Sequence, residues 1–192
     1  MNNRNGIAIV GLNGSGKSTL GHMLAKETGY HEMDVEDYFF PEQRESRRNA
    51  LEGTADMTEG ALPFSAPRGK EQVEKALLDD IRLHPKFILC GVSLNWCEEL
   101  LSEINTVFWL KTPRDIRISR IKNREEARWG ARVAEGGDMY ESQLEFRRMA
   151  AGLSESKVSD SVAYLSCDVV ALDGTLPPED NIRIIKDYLR KH

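Results

Sequence analysis

The chain has 192 residues, of which 40% are apolar and 30% charged, and its formal net charge is −5. This composition predicts a single globular domain over residues 1–192, large enough to fold without disulfide bonds or a structural metal. The three cysteines form no CxxC pair, and no stretch is typical of a signal peptide or a membrane span, so we expect a cytoplasmic protein with no membrane partner. The negative net charge argues against a protein that coats nucleic acid through its overall field.

Short apolar segments alternate with helix-forming segments along the chain. We predict strands at Gly6–Val10, Tyr30–Asp34, Lys86–Cys90, Thr106–Leu110 and Val169–Leu172. We predict helices at Ser18–Thr28, at 41–52, at Glu71–Leu83, from about Pro113, from about Asp138 and at Pro178–Lys191. This alternation predicts an α/β fold, with a five-stranded parallel sheet and helices on both faces. The long segment 53–69 has no period and is expected to be a binding segment or lid.

The most specific motif follows the first predicted strand. Residues 11–18, GLNGSGKS, fit the pattern G-x-x-x-x-G-K-[ST] between a strand and a helix. Its glycines let backbone N–H groups surround a phosphate, while the helix presents the positive end of its dipole. Lys17 is predicted to reach the β- and γ-phosphates of ATP and the Ser18 hydroxyl to bind Mg²⁺. The predicted nucleotide-binding residues of this loop are Gly11, Asn13, Gly14, Ser15, Gly16, Lys17, Ser18 and Thr19.

Three carboxylates follow the second predicted strand, at Asp34, Glu36 and Asp37. The carboxyl ends of parallel strands meet ligands at one edge of the sheet, so these side chains are expected beside the phosphates. Asp34 is predicted to hold Mg²⁺ together with Ser18 and to contact substrate. Glu36 or Asp37 is predicted to contact the phosphate acceptor or to take its hydroxyl proton as the catalytic base. The alternative for each carboxylate is capping of the next helix.

The third predicted strand carries no carboxylate at its end. It finishes with Leu89, Cys90 and Gly91, whereas many P-loop NTPases place a magnesium-binding Asp there. Metal binding is therefore assigned to Ser18 and Asp34, and Cys90 is predicted to be a small buried apolar side chain. The four histidines, at 22, 31, 84 and 192, show no metal-ligand spacing and are assigned no chemistry.

A cationic segment follows the fourth predicted strand. Between Lys111 and Arg132 there are eight cations and three anions, so the segment carries +5 and the rest of the chain −10. A continuous helix would place six arginines within an arc of roughly 120°. They are Arg114, Arg117, Arg120, Arg124, Arg128 and Arg132. A solvated helix face is one interpretation. The preferred one is a short lid over about 124–140 that closes on transferring phosphates, with Arg128 and Arg132 as substrate contacts.

Together these segments resemble the adenylate kinase-like nucleoside and nucleotide kinases, a family with a three-layer P-loop NTPase fold. The resemblance is carried by residues 11–19, by Asp34 with Glu36, by RIKNR at 120–124 and by LDGTLP at 172–177. It implies that Arg120 and Arg124 contact phosphates and act in catalysis with Lys17. It also implies that Asp173, Gly174, Thr175 and Pro177 lie beside the adenine. An acceptor-binding insertion is implied at 38–70, with Arg44, Arg47, Arg48 and Arg68 as candidate contacts.

Three departures separate the chain from true adenylate kinases, one of which is that the acceptor segment 38–70 carries no motif assignable to AMP. Residues 90–94, CGVSL, replace the D-G-F-P-R motif of that family, and the lid is short, without zinc-type cysteines. The acidic strand end is also similar to that of shikimate and gluconate kinases, whose acceptor is a hydroxyl. The sequence therefore predicts transfer of the γ-phosphoryl of Mg-ATP to a small-molecule acceptor, a nucleoside, a nucleotide or a hydroxyl metabolite. The alternatives are a non-catalytic or weakly hydrolytic ATP-binding regulatory protein and a kinase of nucleic-acid ends.

Overall fold

The computed structural model describes residues 5–52 and 67–192. Its single sheet has the strand order β2-β3-β1-β4-β5, and every neighbouring pair is parallel. The strands are β1 (Asn5–Val10), β2 (His31–Asp34), β3 (Lys86–Gly91), β4 (Ile104–Lys111) and β5 (Asp168–Asp173). The predicted five-stranded parallel sheet is confirmed, and each predicted strand lies within two residues of its observed bounds.

Helices connect the strands and cover both faces of the sheet. Within the described ranges they are α1 (Lys17–Thr28), α2 (Val35–Phe39), α3 (Arg44–Glu52), α4 (Lys70–Leu83), α5 (Glu98–Leu101), α6 (Arg114–Trp129), α7 (Tyr140–Gly152), α8 (Ser156–Val162) and α9 (Pro178–Lys191). The helix predicted over 41–52 is divided into a 3₁₀ turn, Pro41–Gln43, and α3. The sequence did not predict α2, α5 and α8, because each is too short to show a helical period.

Alternating side chains of the central strand fill two separate cores. Ala8 and Val10 of β1 lie in the core beneath α2, α4 and α8, whereas Ile7 and Ile9 lie in the core beneath α1 and α9. This alternation follows from the two-residue period of a strand buried on both sides. The result is the predicted three-layer arrangement, with the carboxyl end of β1 at the middle of one sheet edge.

The close contact between α1 and β3 explains two features of the sequence. A Cβ atom on Gly21 would lie 2.2 Å from Sγ of Cys90, so α1 approaches β3 only because residue 21 is glycine. Cys90 is buried, as predicted, and burial raises the pKa of its thiol, which keeps the side chain neutral. Helix α1 is thereby fixed with its N-terminus at the carboxyl end of β1.

Part of the predicted acceptor-binding insertion lies outside the described residues, namely 53–66, and with it most of the segment 53–69. No helix in the part of the chain that the structure describes combines the length and apolar character needed to cross a bilayer. The backbone N–H of Arg68 donates to the carbonyl oxygen of Phe39, at 3.0 Å, which joins the end of the insertion to α2.

Candidate nucleotide and acceptor site

A cavity of about 460 Å³ opens at the carboxyl edge of the sheet. This volume lies within the range of about 300–1,000 Å³ that small-molecule sites typically occupy. The lining residues come from the glycine-rich loop, α1, α2, the 3₁₀ turn before α3, α3, the end of β4, α6, the turn after β5 and the start of α9. They are Gly14, Ser15, Gly16, Lys17, Ser18, Thr19, Leu20, Glu36, Gln43, Arg47, Ala50, Leu51, Leu110, Arg120, Ile121, Arg124, Arg128, Gly174, Leu176, Pro178 and Asn181.

The glycine-rich loop joins β1 to α1 in the conformation that phosphate binding requires. Gly14 and Gly16 have φ angles of 80° and 101°, which L side chains rarely adopt. A Cβ atom on Gly14 would lie 2.4 Å from the carbonyl oxygen of Arg117. Gly11 and Asn13 are absent from the cavity lining and shape the loop instead. The amide of Gly11 donates to the carbonyl oxygen of Gly91, at 3.3 Å.

Side chains of α6 and of the segment just before it donate hydrogen bonds to carbonyl oxygens of the glycine-rich loop. The Ser15 carbonyl accepts from Oγ1 of Thr112, at 3.2 Å, and from Nη1 of Arg120, at 3.0 Å. Nη1 of Arg117 donates to the Asn13 carbonyl oxygen, at 3.1 Å, and to that of Ala150, at 3.3 Å. These bonds make the loop a fixed frame before any ligand arrives.

The cavity lining in the described chain carries a large surplus of positive charge. Its cations are Lys17, Arg47, Arg120, Arg124 and Arg128, and its one carboxylate is Glu36. Lys17 is 5% exposed, and Oγ of Ser15 is buried without a hydrogen-bond partner. Burying an ammonium group or a hydroxyl without a hydrogen-bond partner costs free energy, which a ligand that pairs with these groups would offset. This donor set fits a polyphosphate.

The six arginines predicted to share one face have different positions. Arg120, Arg124 and Arg128 line the cavity, whereas Arg117 is buried beneath the glycine-rich loop. Helix α6 ends at Trp129, so Arg132 lies in the following 3₁₀ turn and forms a forked ion pair with Asp138, at 2.7 Å. The prediction that Arg132 contacts substrate is therefore not supported, because its guanidinium is held within the lid and away from the cavity.

The predicted lid is a small packed unit at the end of α6. Trp129, Val133 and Met139 form a core of their own. The guanidinium of Arg147, from α7, pairs with the buried carboxylate of Glu125. On the opposite side, Nη2 of Arg128 donates to Oγ of Ser46 at 2.6 Å, so the lid and α3 are in contact above the cavity.

The acidic strand end is neutralised by one side chain, Arg47. Its Nη2 atom lies 2.9 Å from Oδ2 of Asp34, its Nε donates to Oδ1 of Asp37 at 2.7 Å, and its Nη1 pairs with Glu36. Oδ1 of Asp34 accepts from the backbone N–H of Glu36, at 3.0 Å, so Asp34 is the N-cap of α2. The capping alternative is confirmed for Asp34, which is 4% exposed and is not part of the cavity lining.

The environment moves the pKa values of the two remaining carboxyls in opposite directions. Burial alone would raise the pKa of Glu36, but the charges of Arg47, Lys17 and Arg124 outweigh burial and lower the pKa to about 2. Burial raises the pKa of Asp37 to about 6, helped by Asp34 and opposed by Arg47. Glu36 therefore stays ionised in the cavity, while Asp37 gains or loses its proton near pH 6.

The turn after β5 closes the other end of the cavity. Oδ1 of Asp173 accepts from the amide of Thr175, at 2.8 Å, and from its hydroxyl, at 2.7 Å. Asp173 and Thr175 therefore shape the turn, and of the four residues predicted beside the adenine only Gly174 lines the cavity, where Pro178 replaces Pro177. Nδ2 of Asn181 donates to the Asp173 carbonyl at 2.9 Å, which leaves its buried Oδ1 without a partner.

The candidate acceptor arginines also separate into two groups. Arg47 lines the cavity, whereas Arg44, Arg48 and Arg68 are exposed and do not belong to the lining. Sequence reasoning missed the lining residues Gln43, Ala50 and Leu51, in and just before α3, and Asn181, near the start of α9. The only sequence signal for Asn181 was its position one helical turn after Pro178, at the start of α9.

The loop at the centre of a parallel sheet, the cationic cavity above it and the helical lid define a P-loop protein of the kinase-like class. A family model described as an AAA domain matches residues 7–139, and the chain belongs to this family.

Three proteins that are similar to this chain are as follows. Over 191 residues it is 28% identical to the uncharacterized protein YqaC of Bacillus subtilis (strain 168), which covers 95% of this chain and 96% of that protein. An adenylate kinase of Mesoplasma florum is 30% identical over 128 residues, 62% of this chain and 58% of the enzyme. The structure of a sugar kinase from Janibacter sp. HTCC2649 has a TM-score of 0.53 at 18% identity, covering 97% of this chain and 94% of that one. The last likeness shows the fold alone.

Proposed function

We propose that this protein is an ATP-dependent phosphotransferase that moves the γ-phosphoryl group to a small, negatively charged acceptor. The observation that carries the proposal is that one cavity joins the glycine-rich loop, three arginines of α6 and the Glu36–Arg47 pair of the opposite wall. A site for ATP and a site for a second ligand are therefore continuous. Phosphoryl transfer depends on such positioning and charge stabilisation.

The chain's own residues have distinct tasks in this proposal. The loop amides and Lys17 bind the phosphates, and Arg120 and Arg124 bind the charge that spreads over the transferring group. Ser18 lines the cavity, and its hydroxyl would hold Mg²⁺, with Asp34, which is paired with Arg47, as the second candidate residue for the ion. The ion would supply positive charge that neutralises the phosphates. The aliphatic side chains of Leu110, Leu176 and Pro178 provide an apolar surface for the base.

The acceptor end combines Glu36 with Arg47 and Arg128. Because its pKa is low, Glu36 stays ionised and is a weak base. It orients the substrate hydroxyl that receives the phosphate by accepting a hydrogen bond from it. Asp37, whose pKa is about 6 while Arg47 contacts it, is the other candidate base, but it does not line the cavity and would have to approach the acceptor. Two cations against one carboxylate favour an acceptor that carries a phosphate or carboxylate group.

A second candidate function is an ATP-binding regulatory protein that transfers no phosphate. The observation that favours it is the contact of Arg47 with all three carboxylates, which occupies both the candidate metal partner and the candidate base. Such a protein would bind ATP and hydrolyse it slowly, and no acceptor would accelerate the reaction.

The test is a transfer assay with ATP labelled in the γ-phosphoryl group. Purified protein and Mg²⁺ are incubated with separate pools of nucleosides, nucleoside monophosphates, sugar acids, sugar phosphates and short oligonucleotides. Label in an organic product that Lys17→Ala protein does not make supports the phosphotransferase. Label only in inorganic phosphate, at a rate independent of every pool, contradicts it and favours the regulatory protein. Label in the oligonucleotide would instead identify a kinase of nucleic-acid ends.

A further inference from the structure

A second group of polar side chains lies near the start of β2, away from the phosphate cavity. Nε2 of His31 lies 3.1 Å from Oδ2 of Asp80, and Nε2 of His84 lies 3.7 Å from Oδ1 of the same carboxylate. The two imidazole rings are 3.8 Å apart between centroids. One ligand atom from each of the three residues lies within 4.8 Å of the other two. None of the three residues lines the phosphate cavity.

We propose that His31, Asp80 and His84 form a binding site for a divalent transition metal of the Zn²⁺ class. Ligand atoms about 2.0 Å from a tetrahedral ion are about 3.3 Å from one another. The distances of 3.1 Å from His31 to Oδ2 of Asp80 and of 3.7 Å from His84 to Oδ1 are both close to that value, so the three side chains are already near the spacing that an ion requires. Two imidazoles and a carboxylate favour Zn²⁺, Cu²⁺ or Ni²⁺ over the oxygen-seeking Mg²⁺ and Ca²⁺.

The backbone positions of the three ligands are fixed by the surrounding fold. Asp80 and His84 are four residues apart at the end of α4, which places them on the same side of the helix. Helix α4 is anchored by Leu77 and Ile81 in the core, and His31 belongs to an edge strand of the sheet. An ion there would link the edge strand to the helix that covers it.

A partner outside the cluster orients the carboxylate. The hydroxyl of Tyr38, a buried residue of α2, donates to Oδ2 of Asp80. Hydrogen bonds of this kind, made to a ligand by a neighbouring side chain, are a regular feature of metal sites. The side chains of His31, Asp80 and His84 are 28%, 20% and 41% exposed. Water can therefore reach the ion and complete its coordination.

The test is calorimetric titration of the tag-free protein with ZnCl₂, joined by absorption spectroscopy with Co²⁺ as a coloured substitute. We expect one equivalent to bind with a micromolar dissociation constant, to raise the melting temperature and to resist displacement by millimolar Mg²⁺. His84→Ala, at a half-exposed position at the end of α4, should weaken binding at least about 10-fold and abolish the tetrahedral Co²⁺ bands. His31→Gln should do the same.

The matched control is His192→Ala. His192 is an exposed histidine at the C-cap of α9, and its ring stacks on Tyr188. It should bind Zn²⁺ as the native chain does. Circular dichroism at equal concentration verifies that each variant is folded. The proposal is overturned if the native chain shows no binding below about 100 μM, or if His84→Ala and the native chain bind equally well. Neither result depends on phosphoryl transfer.

Discussion

Nη2 of Arg47 lies 2.9 Å from Oδ2 of Asp34, a carboxylate that is 4% exposed. The same guanidinium also contacts Glu36 and Asp37, so one cation from α3 compensates three anions at the end of β2 and the start of α2. A buried charge without a partner costs several kcal/mol, which makes the three carboxylates dependent on Arg47 or on a replacement cation. Arg47 is therefore the shared counter-ion of these three carboxylates.

Replacement of Arg47 by Ala should destabilise the fold. We expect the free energy of unfolding at pH 7.5 to fall by about 3 kcal/mol, because three adjacent carboxylates lose their shared partner. Urea denaturation measures the effect. The control is Arg48→Ala, the next residue of α3, whose exposed side chain predicts a change within about 0.5 kcal/mol. Equal stability of the two variants would contradict a structural role for Arg47.

Magnesium should distinguish the two variants further. If a cation at this position is what the carboxylates require, millimolar Mg²⁺ should raise the melting temperature of the Arg47→Ala protein more than that of the native chain or of Arg48→Ala. An equal effect of Mg²⁺ on all three proteins would show that the carboxylates do not attract the ion once Arg47 is gone.

The loop 11–18 could be predicted in detail because the backbone requirement fixes residue types at fixed spacing. Gly14 illustrates this, since its positive φ and its contact with the Arg117 carbonyl both exclude a side chain. The arginines of α6 could not be assigned individually. Helical periodicity places Arg117 and Arg120 close together on α6, but only the packed structure buries Arg117 under the loop and leaves Arg120 in the cavity.

Other parts of the site depend on contacts that sequence does not encode locally. A carboxylate at the end of a strand suits both helix capping and metal binding, so the pattern around Asp34 could not choose between them. His31 and Asp80 are separated by 49 residues and meet only in the folded chain. The pair Asp80 and His84 was the single local indication of that cluster.

The conformation of the loop leads to a prediction about glycine substitutions. Gly14→Ala should be more destabilising than Gly29→Ala, although both residues have positive φ angles, of 80° and 72°. Gly29 has no atom within 4 Å of an added Cβ, so its cost is the backbone strain of about 1–2 kcal/mol. Gly14→Ala adds a clash with backbone and should also abolish ATP binding. Thermal denaturation and a fluorescent ATP analogue measure the two effects, and equal stabilities would contradict the geometry of the loop.

The opposite pKa shifts of Glu36 and Asp37 predict a pH dependence of stability. The pKa of Asp37 is raised from 3.8 to about 6, so the stability it contributes is complete below pH 4 and is lost as the pH rises through 6. The pKa of Glu36 is lowered from 4.5 to about 2, so its contribution is present above pH 4.5 and is lost as the pH falls through 2. The two carboxyls therefore change the stability of the fold over separate pH ranges, an upper one for Asp37 and a lower one for Glu36.

Asp37→Asn should remove the loss of stability that the native chain shows as the pH rises through 6. The amide oxygen can still accept the bond from Arg47, whereas the ionisation is abolished. Between pH 4 and pH 7 the stability of the native chain should fall relative to the variant by about 1–2 kcal/mol, as followed by urea denaturation. Asp79→Asn is the control, because this carboxylate of α4 is 54% exposed and its removal should leave the pH profile unchanged. Parallel profiles for the native chain and Asp37→Asn would contradict the burial of Asp37.

Lys17→Ala should abolish ATP turnover while leaving the fold intact. Lys17 lines the cavity at the N-terminus of α1, where its ammonium meets the ligand phosphates in the proposed function. We expect kcat/KM for ATP to fall at least about 100-fold, the usual effect of removing one donor to developing charge. Lys26→Ala, on the exposed last turn of the same helix, should retain full turnover. Undiminished turnover by Lys17→Ala would reject the loop as the phosphate site.

Arg124→Ala should lower kcat more than it weakens ATP binding. Arg124 lines the cavity beside Glu36 and Arg128, where in the proposed function it would meet the charge that develops during transfer. A well-placed guanidinium contributes about 10³–10⁵ to the rate, so we expect a loss of at least 1,000-fold in kcat with a change below about 10-fold in the dissociation constant of ATP. Arg124→Lys should restore little, because an ammonium lacks the planar fork. The control is Lys122→Ala, since Lys122 is 60% exposed on the same helix and should leave both constants unchanged. Loss of ATP affinity as large as the loss of kcat would place Arg124 in ground-state binding instead.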